Sequence, residues 1–199
     1  MSSMPSPRKL RQCFSSYSSA VSKLSTASTS RPAVDAMSPA AEAALPGTDI
    51  AFIHGGSLRK DLPGGDVRLV DLLDAYPFVD DVIVKEMSGS QIRRALEQSL
   101  TFERGLLQLS GLGVTYDLSQ PVGQRLVSVS YDGAPLADAD RLTVAAPGFL
   151  AEGGDLYDMF AESKVIRNAG KVTDVARAYF AKHDIVAVPP RGRQVDIAH

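Results

Sequence analysis

The chain has 199 residues, with 21 Lys and Arg against 23 Asp and Glu, one Cys and no Trp. One cysteine excludes an internal disulfide and a zinc site built from several cysteines, and three scattered histidines (His54, His183 and His199) argue against a histidine-rich metal centre. No apolar run approaches the roughly 20 residues that a bilayer-crossing helix needs, so no membrane span is expected.

The net charge of −2 is an average of two unlike pieces. Residues 1–31 carry Arg8, Lys9, Arg11, Lys23 and Arg31 with no acid, and they are crowded with Ser and Thr. Such a segment buries too little apolar surface to offset its ordering entropy, so residues 1–32 read as a disordered leader. The composition is like that of an organelle transit peptide. It lacks the apolar block of about 7–15 residues that a secretory signal requires. Cys13 lies in this leader and reads as incidental. The remainder holds 16 bases against 23 acids, which argues against broad nucleic-acid binding, since that needs a basic footprint.

The elements follow in chain order. Ala33 to Leu45 has a helical composition interrupted by Pro39. Asp49 to His54 is an apolar run that reads as a buried strand, and it leads directly into Gly55-Gly56-Ser57-Leu58-Arg59. Val70 to Ala75 suits a short helix ended by Tyr76-Pro77-Phe78, because a residue before proline avoids the helical region. A strand is expected over Asp81 to Met87. A helix with a serine cap follows over Gln91 to Leu100, with Ile92, Ala95, Leu96 and Leu100 on one face.

Four further strands are expected, at Leu106–Leu109, Gly113–Asp117, Arg125–Tyr131 and Arg141–Ala146, with a hairpin turn at Asp132-Gly133. Pro147 to Gly154 reads as a glycine-rich loop. Val172 to Lys182 reads as a helix with Val172, Val175, Ala176, Tyr179 and Phe180 inward. A polar tail runs from Pro189 to His199, with a last edge strand at Gln194 to Ile197. Strands, hairpins and flanking helices in this order give an α+β class with a mixed sheet. The domain is expected to span residues 33–188.

Five segments, in order, resemble one family. Ile50-Ala51-Phe52-Ile53-His54-Gly55-Gly56-Ser57-Leu58-Arg59 resembles its "NGGxxR" segment, and Tyr76-Pro77-Phe78 its "LPF" turn. Leu107-Gln108-Leu109-Ser110-Gly111 resembles "LQVSG", and Tyr116-Asp117-Leu118 with Pro121 and Gly123 resembles "YDLSxPxG". Phe149-Leu150-Ala151-Glu152-Gly153-Gly154-Asp155 resembles "FLAxGGD". The family is the C-terminal domain of the 5'-nucleotidases. Its complete members add an N-terminal metallophosphoesterase domain that holds two divalent metals. The resemblance implies that this chain carries only the second domain, with no catalytic residue and no metal or cofactor of its own. The implied ligand is a nucleoside monophosphate or related phosphoester, and the implied partner a separate metallophosphoesterase domain. Family members are usually extracellular or periplasmic.

The resemblance also assigns roles. Phe78 and Phe149 match the two rings that sandwich the base, Arg59 the arginine that meets the phosphate, and Asp155 the acid that accepts ribose hydroxyls. Gly111 is expected to offer a backbone contact near the base, with Ser110 its polar neighbour, and His54 stands where the family has a substrate-contacting Asn. Read without the family, the same residues have ordinary uses. The phenylalanines suit core packing, Arg59 a solvated pair with Asp61 or Asp66, Asp155 a loop cap, and His54 a structural strand end. The sequence also departs from the pattern. Val79-Asp80 replaces "GN" after the first ring, Pro147-Gly148 replaces "ND" before the second, and Leu156 replaces the glycine after Asp155. A vestigial or protein-interaction module without a ligand is therefore the alternative to a nucleotide-recognising domain.

Overall fold

The structure is a computed structural model that describes residues 45–63, 66–103, 105–182 and 192–198. The leader, the short helix expected ahead of Leu45, Cys13, His183, His199 and the start of the polar tail lie outside these residues. Two sheets and their flanking helices form three layers, an α+β arrangement.

The first sheet contains β1 (Ile50–His54), β2 (Asp81–Ser88), β3 (Leu107–Ser110), β7 (Arg141–Pro147) and β8 (Lys164–Lys171), in the order β3-β1-β7-β2-β8. β1 and β7 are parallel neighbours, with Ile50 opposite Val144, while β2 runs antiparallel to β7, with Val82 opposite Pro147. The carboxyl ends of β1 and β7 and the amino end of β2 therefore share one edge of the sheet.

Both faces of this sheet are covered. Ile50, Phe52, Met87, Leu142, Val144 and Ala146 face α2 (Gly89–Ser99) and the second sheet. Ala51, Ile53, Val82, Val84 and Ala145 face α1 (Leu69–Ala75) and α5 (Val172–Lys182). This is the period-2 alternation of a strand, with both faces apolar because both are buried. α2 starts where Ser88 and Gln91 cap each other reciprocally. The Gln91 N–H donates to Ser88 Oγ at 3.1 Å, and the Ser88 N–H donates to Gln91 Oε1 at 2.9 Å. Its expected inward face, Ile92, Ala95, Leu96 and Leu100, is buried.

The second sheet has the order β6-β5-β4-β9, from β4 (Leu112–Tyr116), β5 (Leu126–Tyr131), β6 (Ala134–Pro135) and β9 (Gln194–Asp196). Asp132 and Gly133 make the expected hairpin turn, both with positive φ, as a primed turn requires. β9 pairs in parallel with β4, so part of the polar tail is an edge strand of this sheet. Asp49 joins the two sheets, accepting from Tyr131 Oη at 3.0 Å and from the Thr143 N–H at 2.7 Å.

Two features depart from the sequence expectation. The Pro147–Gly154 stretch is not simply a loop, because it opens with one helical turn, α3 (Gly148–Ala151). After it come a 3-10 turn (Gly154–Leu156) and α4 (Asp158–Ala161), and then β8, a strand that no sequence pattern announced. No helix among the described residues is long and apolar enough to cross a membrane.

Candidate functional site

Five of the seven residues singled out in the sequence gather at the shared edge of the first sheet. His54 ends β1 and is buried. Its Nδ1 accepts the Gly56 N–H at 3.1 Å, which caps the 3-10 turn Gly55–Ser57. A nitrogen that accepts carries no proton, so the neutral ring places its hydrogen on Nε2. Nε2 lies 3.2 Å from Asp155 Oδ2. The imidazole also packs edge-on against Tyr157, with centroids 6.2 Å apart. Burial and the nearby Asp155 carboxylate push the Tyr157 phenol well above its ordinary range, so it stays neutral.

Asp155 sits on the turn after α3 with φ +55, and Leu156 follows with φ +68. Two successive non-glycine residues in the left-handed region are strained, and such strain concentrates at functional loops. Gly154 precedes them. A Cβ there would lie 2.5 Å from Phe149 Cζ and 2.6 Å from Phe149 O, so the Phe149 ring rests directly on the bare Gly154 backbone.

Phe78 and Phe149 are 41% and 52% exposed. Core packing is therefore not their role, and both rings present surface to solvent. Arg59 places its guanidinium 5.4 Å from the Phe78 ring centroid, a cation–π contact, and is directed at that ring rather than at Asp61 or Asp66. The Arg59 N–H is anchored on Ala75 O at 2.9 Å, at the end of α1. Lys60, the neighbouring cation, pairs with Asp74 at 2.9 Å. Tyr76 packs edge-on against Phe78 at 5.5 Å.

Gly111 is not part of this group. It follows β3 at the opposite end, where Ser110 pairs with Ala51, and φ is +84. From Ile50, which lies against Gly111, to His54 is four residue steps, roughly 13 Å at about 3.3 Å per step. A Cβ on Gly111 would meet Asp49 O at 2.5 Å, so this glycine serves the close approach of β3 to the start of β1. Ser110 shares that location and is buried. At the site end the neighbouring loop is that of Gly105, whose missing Cβ would lie 3.6 Å from Gly56 N.

Two residues that the sequence did not mark support the site. Lys85 is buried, and its Nζ donates to Ala151 O at 2.8 Å and to Phe160 O, holding the ends of α3 and α4 on either side of Asp155. Asp80 lies between the two ring-bearing loops and accepts the Phe149 N–H on Oδ2 at 3.1 Å. Among the described residues no three His, Cys, Asp or Glu side chains converge as a metal site would require. The His54–Asp155 pair alone does not fit a two-metal centre.

Residues 18–162 match the family described as 5'-nucleotidase, C-terminal domain. The chain belongs to that family. It is 33% identical over 164 residues to the 5'-nucleotidase-related protein of Glossina morsitans morsitans, covering 75% of this chain and 29% of that one. It is 32% identical over 135 residues to the trifunctional nucleotide phosphoesterase protein YfkN of Bacillus subtilis (strain 168), covering 63% of this chain and 9% of that one. Among solved structures, the 5'-nucleotidase precursor from Thermus thermophilus superposes with a TM-score of 0.75 at 25% identity, over 82% of this chain and 34% of that one. The Haemophilus influenzae NAD nucleotidase shares the fold with a TM-score of 0.74 at 19% identity, over 84% of this chain and 33% of that one. The chain thus spans about a third or less of these proteins' lengths.

Proposed function

We propose that this 5'-nucleotidase C-terminal domain recognises a nucleoside monophosphate or related phosphoester, with hydrolysis performed by a metallophosphoesterase domain outside these 199 residues. The observation that carries this is the arc of contacts along one sheet edge. Arg59 lies on Phe78, Phe149 rests on Gly154, and Asp155 faces His54.

Each group suits one part of such a ligand. A flat base stacks on an exposed ring for about 1–3 kcal/mol per base, and does so with little regard to base identity. The Arg59 guanidinium offers paired donors to a phosphate. A carboxylate accepts from two vicinal hydroxyls, and His54 Nε2, 3.2 Å from Asp155 Oδ2, would keep that carboxylate at the site. The ligand phosphate would be held by Arg59 at the rim, open to a second domain.

The test is calorimetric titration of the 199-residue protein with AMP and with adenosine, repeated on Phe78→Ala and Phe149→Ala. Binding by the wild type that each variant weakens about tenfold, as loss of a stacking partner implies, supports the proposal. No heat up to millimolar ligand overturns it and favours a ligand-free module.

A further inference from the structure

We infer that Asp80 is a positioning residue whose carboxylate clasps the two ring-bearing loops together. The inference rests on the function proposed above, and its spectroscopic test below is independent of that function.

The geometry is specific. One oxygen, Asp80 Oδ2, accepts the backbone N–H of Phe149 at 3.1 Å and the hydroxyl of Tyr76 at 3.4 Å. Phe149 is thus tied through its own amide. Phe78 is tied at one remove, because its ring packs edge-on against the Tyr76 ring at 5.5 Å. The other oxygen, Oδ1, accepts the Asp81 N–H at 2.9 Å, which locks the carboxylate's rotation. The backbone is fixed as well, since Asp80 O accepts the Val172 N–H at 3.0 Å, where α5 begins. Asp80 is therefore a fixed post between a loop near residue 78 and a loop near residue 149.

Three donors face this carboxylate, the amides of Phe149 and Asp81 and the Tyr76 hydroxyl. Burial, followed by the Asp80 charge, pushes the Tyr76 phenol well above its ordinary range, which keeps it a donor. α3 has no side-chain cap from Pro147, its own N-cap residue, so Asp80 supplies that hydrogen bond from the start of the neighbouring strand. Gly148 leaves the room. A Cβ on Gly148 would lie 2.6 Å from Asp80 Oδ1 and displace it. An asparagine at position 80 would oppose at least one N–H with its own amide hydrogens.

The experiment uses the full 199-residue protein in its wild-type, Asp80→Asn and Gly148→Ala forms. In NMR spectra of the wild type, the Phe149 amide proton should shift upfield on acidification as its carboxylate acceptor is protonated. That shift should be absent in Asp80→Asn. Both variants should move the ring signals of Phe78 and Phe149 together. Calorimetry should then show adenosine binding weakened about fivefold in both, a loss of the size of one ordinary net hydrogen bond, with inorganic phosphate binding unchanged. A Phe149 amide indifferent to acid, or ring signals unmoved in both variants, overturns the clasp. So does adenosine affinity equal to wild type in both variants. If the wild type binds neither AMP nor adenosine, the proposed function fails, while the amide and ring signals still decide whether the clasp exists.

Discussion

His54 Nε2 and Asp155 Oδ2 lie 3.2 Å apart, joining residues 101 positions apart in the chain at one edge of the first sheet. The histidine has two separate duties, since Nδ1 caps the turn that begins at Gly55 while Nε2 faces the acid. His54→Asn should keep the cap, because a short amide oxygen serves well at that position, but retract from Asp155. His54→Ala should lose both and cost about 1 kcal/mol for the cap alone. Urea unfolding should rank the alanine variant least stable. An alanine variant as stable as the wild type would contradict the assignment.

Leu156 is 61% exposed and has φ +68. The left-handed conformation costs an L-residue roughly 1–2 kcal/mol, and little packing is lost if the side chain goes. Leu156→Gly should therefore stabilise the protein by about 1 kcal/mol, after allowing for glycine's greater freedom when unfolded. A rise in the thermal midpoint checks this. The same substitution restores the glycine that the family pattern has here.

Lys85 donates to two helix-end carbonyls from a buried position. Lys85→Met would orphan the Ala151 and Phe160 carbonyls while sparing the cost of burying a charge, for a net loss of about 2 kcal/mol. Burial holds the Lys85 ammonium below the ordinary lysine range, with Glu152 opposing the shift. The unfolded chain then binds more protons between the lowered value and the ordinary one, so stability rises with pH through that window. The neutral amine still offers an N–H to each carbonyl. Comparing alkaline unfolding curves of the wild type and the variant should show this rise in the wild type only.

Asp71 accepts from the Arg68 N–H at 2.8 Å and from its guanidinium at 3.1 Å, at the start of α1. These bonds, the Arg68 side chain's first, hold its carboxyl below the usual range. The stabilisation is present above the ordinary carboxylate pKa and is lost as pH falls through the lowered value. Asp71→Asn should flatten the acid limb of the stability profile, followed by circular dichroism. An unchanged acid limb would show that the pair contributes nothing.

Much of the fold was legible because burial leaves a period in the sequence. β1 is an unbroken apolar run, α2 is apolar at the spacing of a helix, and the Ser88–Gln91 cap marks where β2 gives way to α2. β8 was not legible, since Lys164–Lys171 is an almost wholly exposed edge strand with no apolar alternation to detect. Lys85 was hidden for the opposite reason. A lysine in a strand ordinarily marks a solvent face, but here both faces of the sheet are covered. In the site, Arg59, Phe78, Phe149 and Asp155 were readable as motif positions. Gly111 lies at the far end of β1 from His54 because β3 runs antiparallel to β1, a direction the motif does not give. Asp80 read only as a departure from the "GN" pattern, since its partner Phe149 is 69 positions away and neither residue's type announces the other.

The parallel pairing of β1 with β7 brings together stretches separated by nearly half the chain. No short fragment contains both members of that pair, so the proposed ligand affinity would be an index of global integrity. A lesion anywhere that frees β7 would silence recognition before any contacting side chain is altered. Conversely, a ligand held at the proposed site would shield the entire sheet from thermal melting through mass action.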